Sequence, residues 1–378
     1  MRSEKKMNTL KCAPGAAALF AGLFAALFAT SSAQAQVPAD IESELVKIGH
    51  IVDPPCTAKL YRPLMPKNDI NSTVTPLYPG IAIARDVSFG PNPMDIVDVF
   101  SAEKGGDSRP VLLYVPGGAG NKIEQQDREA NAFYDNILRW ATKNGMVGVM
   151  MQRHAGKSWD DGGKDISLMV QWVQANIGKY KGNPDRMVIW AQSAGNQPLA
   201  VYIGRPELWG PRGVGVKGAI FMSAGAFNIL PLKLPPGPPG GGGNPLAAAG
   251  KTCGGNMTNE DGAIAGPGRA APRAAGGGGG RGPQPDEATL LGRSNLPEFK
   301  KTDVKLMFAS AELDPGVDGA MSPFSVLLHD ELCKDGPAHC PTMLFEKGES
   351  HMSEVFSIDT PDTTVSKPIL TFMKKSLK

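Results

Sequence analysis

The 378-residue sequence predicts an α/β chain with a mostly parallel eight-stranded sheet and helices on both faces, on three observations. Eight short apolar runs rich in β-branched residues recur along the chain. Amphipathic segments lie between the later runs, and alternation of that kind implies a parallel sheet covered on both sides. The first two runs have no helix between them, which predicts an antiparallel entry to the sheet. With 41% hydrophobic residues the chain has enough apolar material for a substantial core.

The first element is not part of that fold. Residues 1–35 place Arg2, Lys5, Lys6 and Lys11 before an apolar run from about Ala16 to Ala29, then end in "AQA". This is the order of a secretory signal peptide. The run is too short to span a bilayer, and no cysteine follows it at a lipidation spacing. Cleavage would leave an exported protein, periplasmic or extracellular. Losing those four cations and one anion, Glu4, takes the formal net charge from +2 to −1. A nearly neutral chain without basic clusters gives no electrostatic ground for binding nucleic acid or an anionic membrane, and after signal cleavage nothing holds it in a bilayer. The expected partner is a small-molecule substrate.

Residues 36–80 form an N-terminal arm, and 81–378 the main domain. Its strands are "IAIARDVSF", "DIVDVF", "VLLYV", "MVGVMMQ", "MVIWA", "GAIFMS", "VKLMFA" and "TMLFE". The clearest helix is Asp165 to Lys179, where Ile166, Met169, Val170, Val173 and Ile177 share one face. Residues 231–286 interrupt the pattern with "PLKLPPGPPGGGGNP" and "GPGRAAPRAAGGGGGRGP". So Gly- and Pro-rich a segment buries too little apolar surface to offset its ordering entropy. Because it separates two sheet strands, it reads as an insertion within one domain.

Of five cysteines, Cys12 lies in the signal segment, leaving Cys56, Cys253, Cys333 and Cys340. An even number in an oxidising compartment predicts disulfides. Cys333 and Cys340 flank the short loop "KDGPAH", which brings two sulfurs together, and Cys56 with Cys253 follows by elimination. Neither metal-ligand spacing nor a cofactor motif is present, so no cofactor is expected.

The stretch "VIWAQSAGNQ" ends an apolar strand at Ser193 among small residues, Ala191 and Gly195. A serine on a sharp strand-to-helix turn tolerates its strained backbone only with small residues two before and two after it. Such a turn exposes the hydroxyl and aims the N-terminus of the following helix at a developing oxyanion. A serine nucleophile needs a base and an acid to orient that base. Asp314 follows the strand "VKLMFA", and His351 follows "TMLFE". The order Ser193, Asp314, His351 is that of α/β-hydrolases. Among the histidines, His50 precedes the sheet, His154 follows the fourth strand, His329 lies in a helix-like segment, and His339 lies in the expected disulfide loop. Glu312 and Asp318 are the rival acids. Gly117 and Gly118, in "VPGGAGNK", have no Cβ to block a close approach of the main chain. Their N–H groups and that of Ala194 form the expected oxyanion hole.

The segment "QWVQANIGKYKGNPDRMVIWAQSAGN" resembles the helix, turn and nucleophile strand of α/β-hydrolase esterases in the carboxylesterase and hormone-sensitive-lipase-like group. "LLYVPGGAG" resembles their His-Gly-Gly-Gly segment, with Pro116 in place of the histidine, and "ESHMSEVFSIDTPDTTVSKPILTFM" their catalytic-histidine loop and final helix. The resemblance runs from about Ala82 to Leu377 without the insertion. It implies Ser193 as nucleophile, Asp314 as acid, His351 as base, and Gly117, Gly118 and Ala194 as oxyanion donors. The expected activity is hydrolysis of carboxylic esters through an acyl-enzyme. A serine peptidase or an acyltransferase would use the same three residues, and a non-catalytic binding protein would share only the fold.

Overall fold

The computed structural model describes residues 36–66, 78–118, 133–154, 156, 158–225, 227–233, 286–315, 317 and 319–378. Eight strands form one sheet: β1 (Ile81–Ser88), β2 (Ile96–Ala102), β3 (Arg109–Val115), β4 (Val147–Met151), β5 (Gly182–Gln192), β6 (Gly218–Met222), β7 (Lys305–Ala311) and β8 (Thr342–Glu346). Their spatial order is β1-β2-β4-β3-β5-β6-β7-β8. β1 pairs antiparallel with β2, and β2 antiparallel with β4. From β4 to β8 every pairing is parallel.

The central strands are buried on both faces, as their near-continuous apolar runs require. Alternation along them sorts side chains into two cores. Leu112, Tyr114, Val188, Trp190, Ile220 and Met222 join one. Val111, Leu113, Val115, Ile189, Ala191 and Phe221 join the other. In the second core Phe221 meets Phe227, Phe299 and Phe308 at ring-centroid distances of 5.3, 5.9 and 5.8 Å. This cluster ties the chain just beyond β6 to the helix Leu296–Phe299 that leads into β7. Truncating a ring buried this way costs about 3–5 kcal/mol.

Residues of the arm also join the core. Helices Ala39–Ile48 and Pro54–Tyr61 bury Leu45, Ala58 and Tyr61 against the first cluster. The second helix starts on Asp53, whose carboxylate accepts from the N–H of Cys56 at 3.0 Å, with proline in the first turn where no donor is needed.

The helix expected from Asp165 begins four residues earlier, as Asp161–Asn176, and tightens into a 3₁₀ turn at Ile177–Tyr180. The Gly162–Gly163 pair hides its start, because glycine lowers helix propensity. Packing explains the pair: a Cβ on Gly162 would lie 2.8 Å from Pro198, and one on Gly163 2.6 Å from Val201. The helix therefore lies close against Asn196–Ile203.

β6 and β7 pair in register from Gly218↔Lys305 to Met222↔Ala309, so the segment between them leaves the sheet continuous. Residues 234–285, most of the expected insertion, lie outside the described residues. Cys333 and Cys340 are joined by a disulfide. Cys56 is also disulfide-bonded, and Cys253 lies outside the described residues. Among the described residues no helix is long and apolar enough to cross a membrane.

Candidate active site

β5 stops at Gln192 and the chain turns at once through Ser193–Gly195 into the helix Asn196–Ile203. Ser193 has φ +52°, the left-handed region in which a side chain costs about 1–2 kcal/mol. Gly195 permits the turn. A Cβ there would lie 2.6 Å from the carbonyl oxygen of Val115 and 2.9 Å from that of Pro116. The elbow is thus pressed against the end of β3. Gly117 is equally confined, since its Cβ would lie 2.8 Å from that of Ser193 and 2.1 Å from Oε1 of Gln192.

The loops after β7 and β8 meet above the same end of the sheet. Glu312 N–H donates to the carbonyl of Glu346 at 3.0 Å, and Leu313 N–H to that of Glu349 at 2.8 Å. Across this joint Asp314 Oδ1 accepts from Nδ1 of His351 at 2.5 Å. On the other side of the ring, Ser193 Oγ lies 2.7 Å from Nε2 and donates to it. His351 and Asp314 are buried, while Ser193 is partly exposed. Burial alone would lower the pKa of His351, but the Asp314 carboxylate outweighs it and leaves the imidazole above its ordinary 6.5.

Residues far apart in sequence are thereby assembled. Glu312 is elsewhere: its Oε2 accepts from the N–H of Gly348 at 2.7 Å and holds the histidine loop. Asp318 lies outside the described residues. His50 comes closer than its position before the sheet suggests, with Nδ1 3.5 Å from the carbonyl of Asp314. His329 sits in the helix Pro323–Cys333, and His339 in the disulfide loop. Gly117 and Gly118 follow β3 beside the elbow, with Gly118 at φ +61°, and Ala194 follows Ser193.

Three surrounding features escape the sequence reading. Gln192 Nε2 donates to the carbonyl of His351 at 3.0 Å and to Oε1 of Glu354 at 2.8 Å. Oε2 of the same carboxyl is 2.7 Å from the hydroxyl of Ser223. Burial pushes the Glu354 carboxyl up from 4.5 to about 8. Two further buried acids, Glu346 and Glu349, are raised for the same reason. Arg153, just beyond β4, turns its guanidinium to the carbonyls of Pro116 and Gly118. Nothing in the linear pattern "HMSEVF" singles out Glu354, three residues after His351, as a buried carboxyl.

Among the described residues, two clusters bring together side chains of metal-ligating type. In one, Nε2 of His154 lies 3.2 Å from carboxylate oxygens of both Asp95 and Asp165. Burial, joined by the neighbouring carboxylate of Asp95, raises Asp165 to about 6 against the lowering pull of His154. In the other, His329 faces Cys333 and Cys340, whose sulfurs are committed to each other. Neither cluster includes a residue of the Ser193 site.

The sheet order, the sharp elbow after β5 and the loops after β7 and β8 define an α/β-hydrolase fold. Solved structures agree. A truncated carbohydrate esterase from gut microbiota matches with a TM-score of 0.52 at 14% identity, over 82% of this chain and 99% of that one. Carboxyl esterase 2 of Tuber melanosporum matches at 0.51 and 14%, over 82% and 90%. Among curated proteins, the chain is similar to chlorogenic acid esterase of Aspergillus niger, 33% identical over 32% of this chain and 24% of that protein. It is likewise similar to cocaine esterase of Homo sapiens, 28% identical over 27% and 19%. Carboxylesterase 3B of Mus musculus is 29% identical over 24% and 16%. The chain thus spans a quarter or less of the length of each curated relative. No protein-family model matches.

Proposed function

We propose that the chain is an exported serine hydrolase that cleaves carboxylic esters through an acyl-enzyme, with Ser193, His351 and Asp314 as its catalytic triad. The observation that carries the reading is the relay: Ser193 Oγ to His351 Nε2 at 2.7 Å, and His351 Nδ1 to Asp314 Oδ1 at 2.5 Å. The similarity to carboxylesterases and the likeness in fold to esterases support the ester as substrate. Export is supported by the lysine-preceded apolar run of residues 1–35 and by the Cys333–Cys340 disulfide.

In this mechanism Ser193 Oγ attacks the ester carbonyl carbon as its proton passes to Nε2 of His351. Asp314 accepts from Nδ1, fixes the tautomer and stabilises the imidazolium. The carbonyl oxygen becomes an oxyanion facing the backbone N–H groups of Gly117, Gly118 and Ala194. Collapse expels the alcohol, which takes the proton from Nε2 and leaves Ser193 acylated. Water then attacks the acyl-enzyme with its proton passing to Nε2, and the acid departs as the proton returns to Oγ.

The test is a panel of aryl esters of graded acyl length run beside the matching aryl amides, with wild type and Ser193→Ala. Ester turnover by the wild type, lost in Ser193→Ala, is expected. Cleavage of the amides in preference to the esters would make the chain a peptidase, and turnover kept by Ser193→Ala would remove the triad.

A further inference from the structure

The loop after β3 would supply oxyanion donors, yet Pro116 at its head carries no side-chain donor to brace it. Another side chain reaches it. β4 runs parallel beside β3, so their C-terminal ends lie next to each other. Two residues past β4, Arg153 donates from Nε to the carbonyl of Pro116 at 2.7 Å and from Nη2 to that of Gly118 at 2.9 Å. A longer contact, 3.4 Å, reaches the carbonyl of Gly117. One guanidinium therefore gathers three successive carbonyls.

The consequence follows from the planar trans peptide, in which C=O and N–H point in opposite directions. When the carbonyl of Pro116 is drawn to Arg153, the N–H of Gly117 is turned the other way. When that of Gly117 is drawn, the N–H of Gly118 is turned likewise. Successive N–H groups aimed to one side form an anion-binding concavity. Gly117 abuts Ser193, and the carbonyl of Pro116 is held between the guanidinium and Gly195, so the loop is gripped on both flanks. Gly118, at φ +61°, has the left-handed conformation that such a bend requires.

We propose that Arg153 is a positioning residue of the oxyanion hole, bracing the Pro116–Gly118 loop so that the N–H groups of Gly117 and Gly118 meet the developing oxyanion. This rests on the triad reading above. A guanidinium suits the task because its rigid fork reaches several acceptors at once, whereas an ammonium offers a point charge. Because the donors act chiefly on the transition state, loosening them lowers kcat more than it changes KM.

The experiment compares wild type, Arg153→Ala, Arg153→Lys and Ser193→Ala on a small aryl acetate. Affinity for an alkyl trifluoromethyl ketone, whose serine adduct carries an oxyanion, is measured in parallel. For Arg153→Ala we expect kcat to fall about ten- to hundred-fold, short of the roughly 10²–10³ lost with an oxyanion donor itself. KM should stay within about threefold, and ketone affinity should fall together with kcat. Millimolar guanidinium chloride should restore part of the kcat of Arg153→Ala and none of Ser193→Ala. Should Arg153→Ala fail to fold, Arg153→Lys decides, with reduced ketone affinity expected at wild-type secondary structure. Wild-type kcat or ketone affinity in a folded Arg153 variant would overturn the inference. If Ser193→Ala retained wild-type activity, the triad reading itself would have failed. If Ser193→Ala is inactive and Arg153→Ala is not impaired, the positioning role alone is wrong.

Discussion

Gln192 and Glu354 are hydrogen-bonded at 2.8 Å behind the candidate triad, joining the residue before Ser193 to the turn that carries His351. The same amide nitrogen also reaches the carbonyl of His351. With its pKa near 8, the Glu354 carboxyl is mainly protonated at neutral pH. An amide of the same shape can replace it, accepting from Gln192 and donating toward Ser223. Glu354→Gln should therefore keep kcat within about threefold at pH 7, while Glu354→Ala, which strands buried partners, should lose about 1–3 kcal/mol of stability. A large loss of turnover in Glu354→Gln would mean that the ionised form is required.

That carboxyl also ties stability to pH. Its folded pKa, about 8, exceeds its ordinary 4.5, so its contribution is fully present below pH 4.5 and is lost as pH rises through about 8. Glu346 and Glu349 are shifted in the same direction. Thermal unfolding should show wild type losing Tm relative to Glu354→Gln across pH 4.5 to 8. A difference in Tm that stays flat over that window would contradict a neutral buried Glu354.

Activity has its own pH dependence. His351 must be neutral to accept the serine proton, and its pKa lies above 6.5. The acid limb of kcat/KM should therefore have its midpoint above pH 6.5. Asp314→Asn removes the charge that raises this pKa and the acceptor that orients the ring. It should move the limb to lower pH and cut kcat by roughly 10⁴. If Glu312→Gln gave the larger loss, the acid would be misassigned.

Gly195→Ala tests the elbow. The atoms nearest the added Cβ are main-chain, Val115 O at 2.6 Å and Pro116 O at 2.9 Å, so the backbone has to shift. We expect about 1–3 kcal/mol of destabilisation together with loss of activity. Gly178→Ala, with nothing within 4 Å of its Cβ and no positive φ, is the control and should leave both unchanged. Wild-type Tm and turnover in Gly195→Ala would mean that the contact with β3 does not shape the site.

The strands were legible because a parallel sheet buried on both faces leaves uninterrupted apolar runs, such as "MVIWA" and "GAIFMS". Chain order and strand ends brought Ser193, Asp314 and His351 into consideration together. What escaped depended on burial or on contacts across the sheet. Gly162 and Gly163 hide the start of their helix, because glycine has low helix propensity and the packing against Asn196–Ile203 that explains them arises only in the fold. Glu354 and Gln192 went unmarked, since nothing in a linear pattern reports that a carboxyl is buried or which amide meets it. Nothing in the linear pattern marks Arg153, because its contact with the carbonyl of Pro116 arises from the pairing of β3 with β4.

The central claim is that Ser193 attacks the substrate, and covalent labelling tests it most directly. Wild type and Ser193→Ala would be treated with a fluorophosphonate, digested, and searched for the adduct by mass spectrometry. Phosphonylation of the wild type on the peptide containing Ser193, at stoichiometry matching the loss of esterase activity, is the predicted result. An adduct on another residue, or equal labelling of Ser193→Ala, would contradict it.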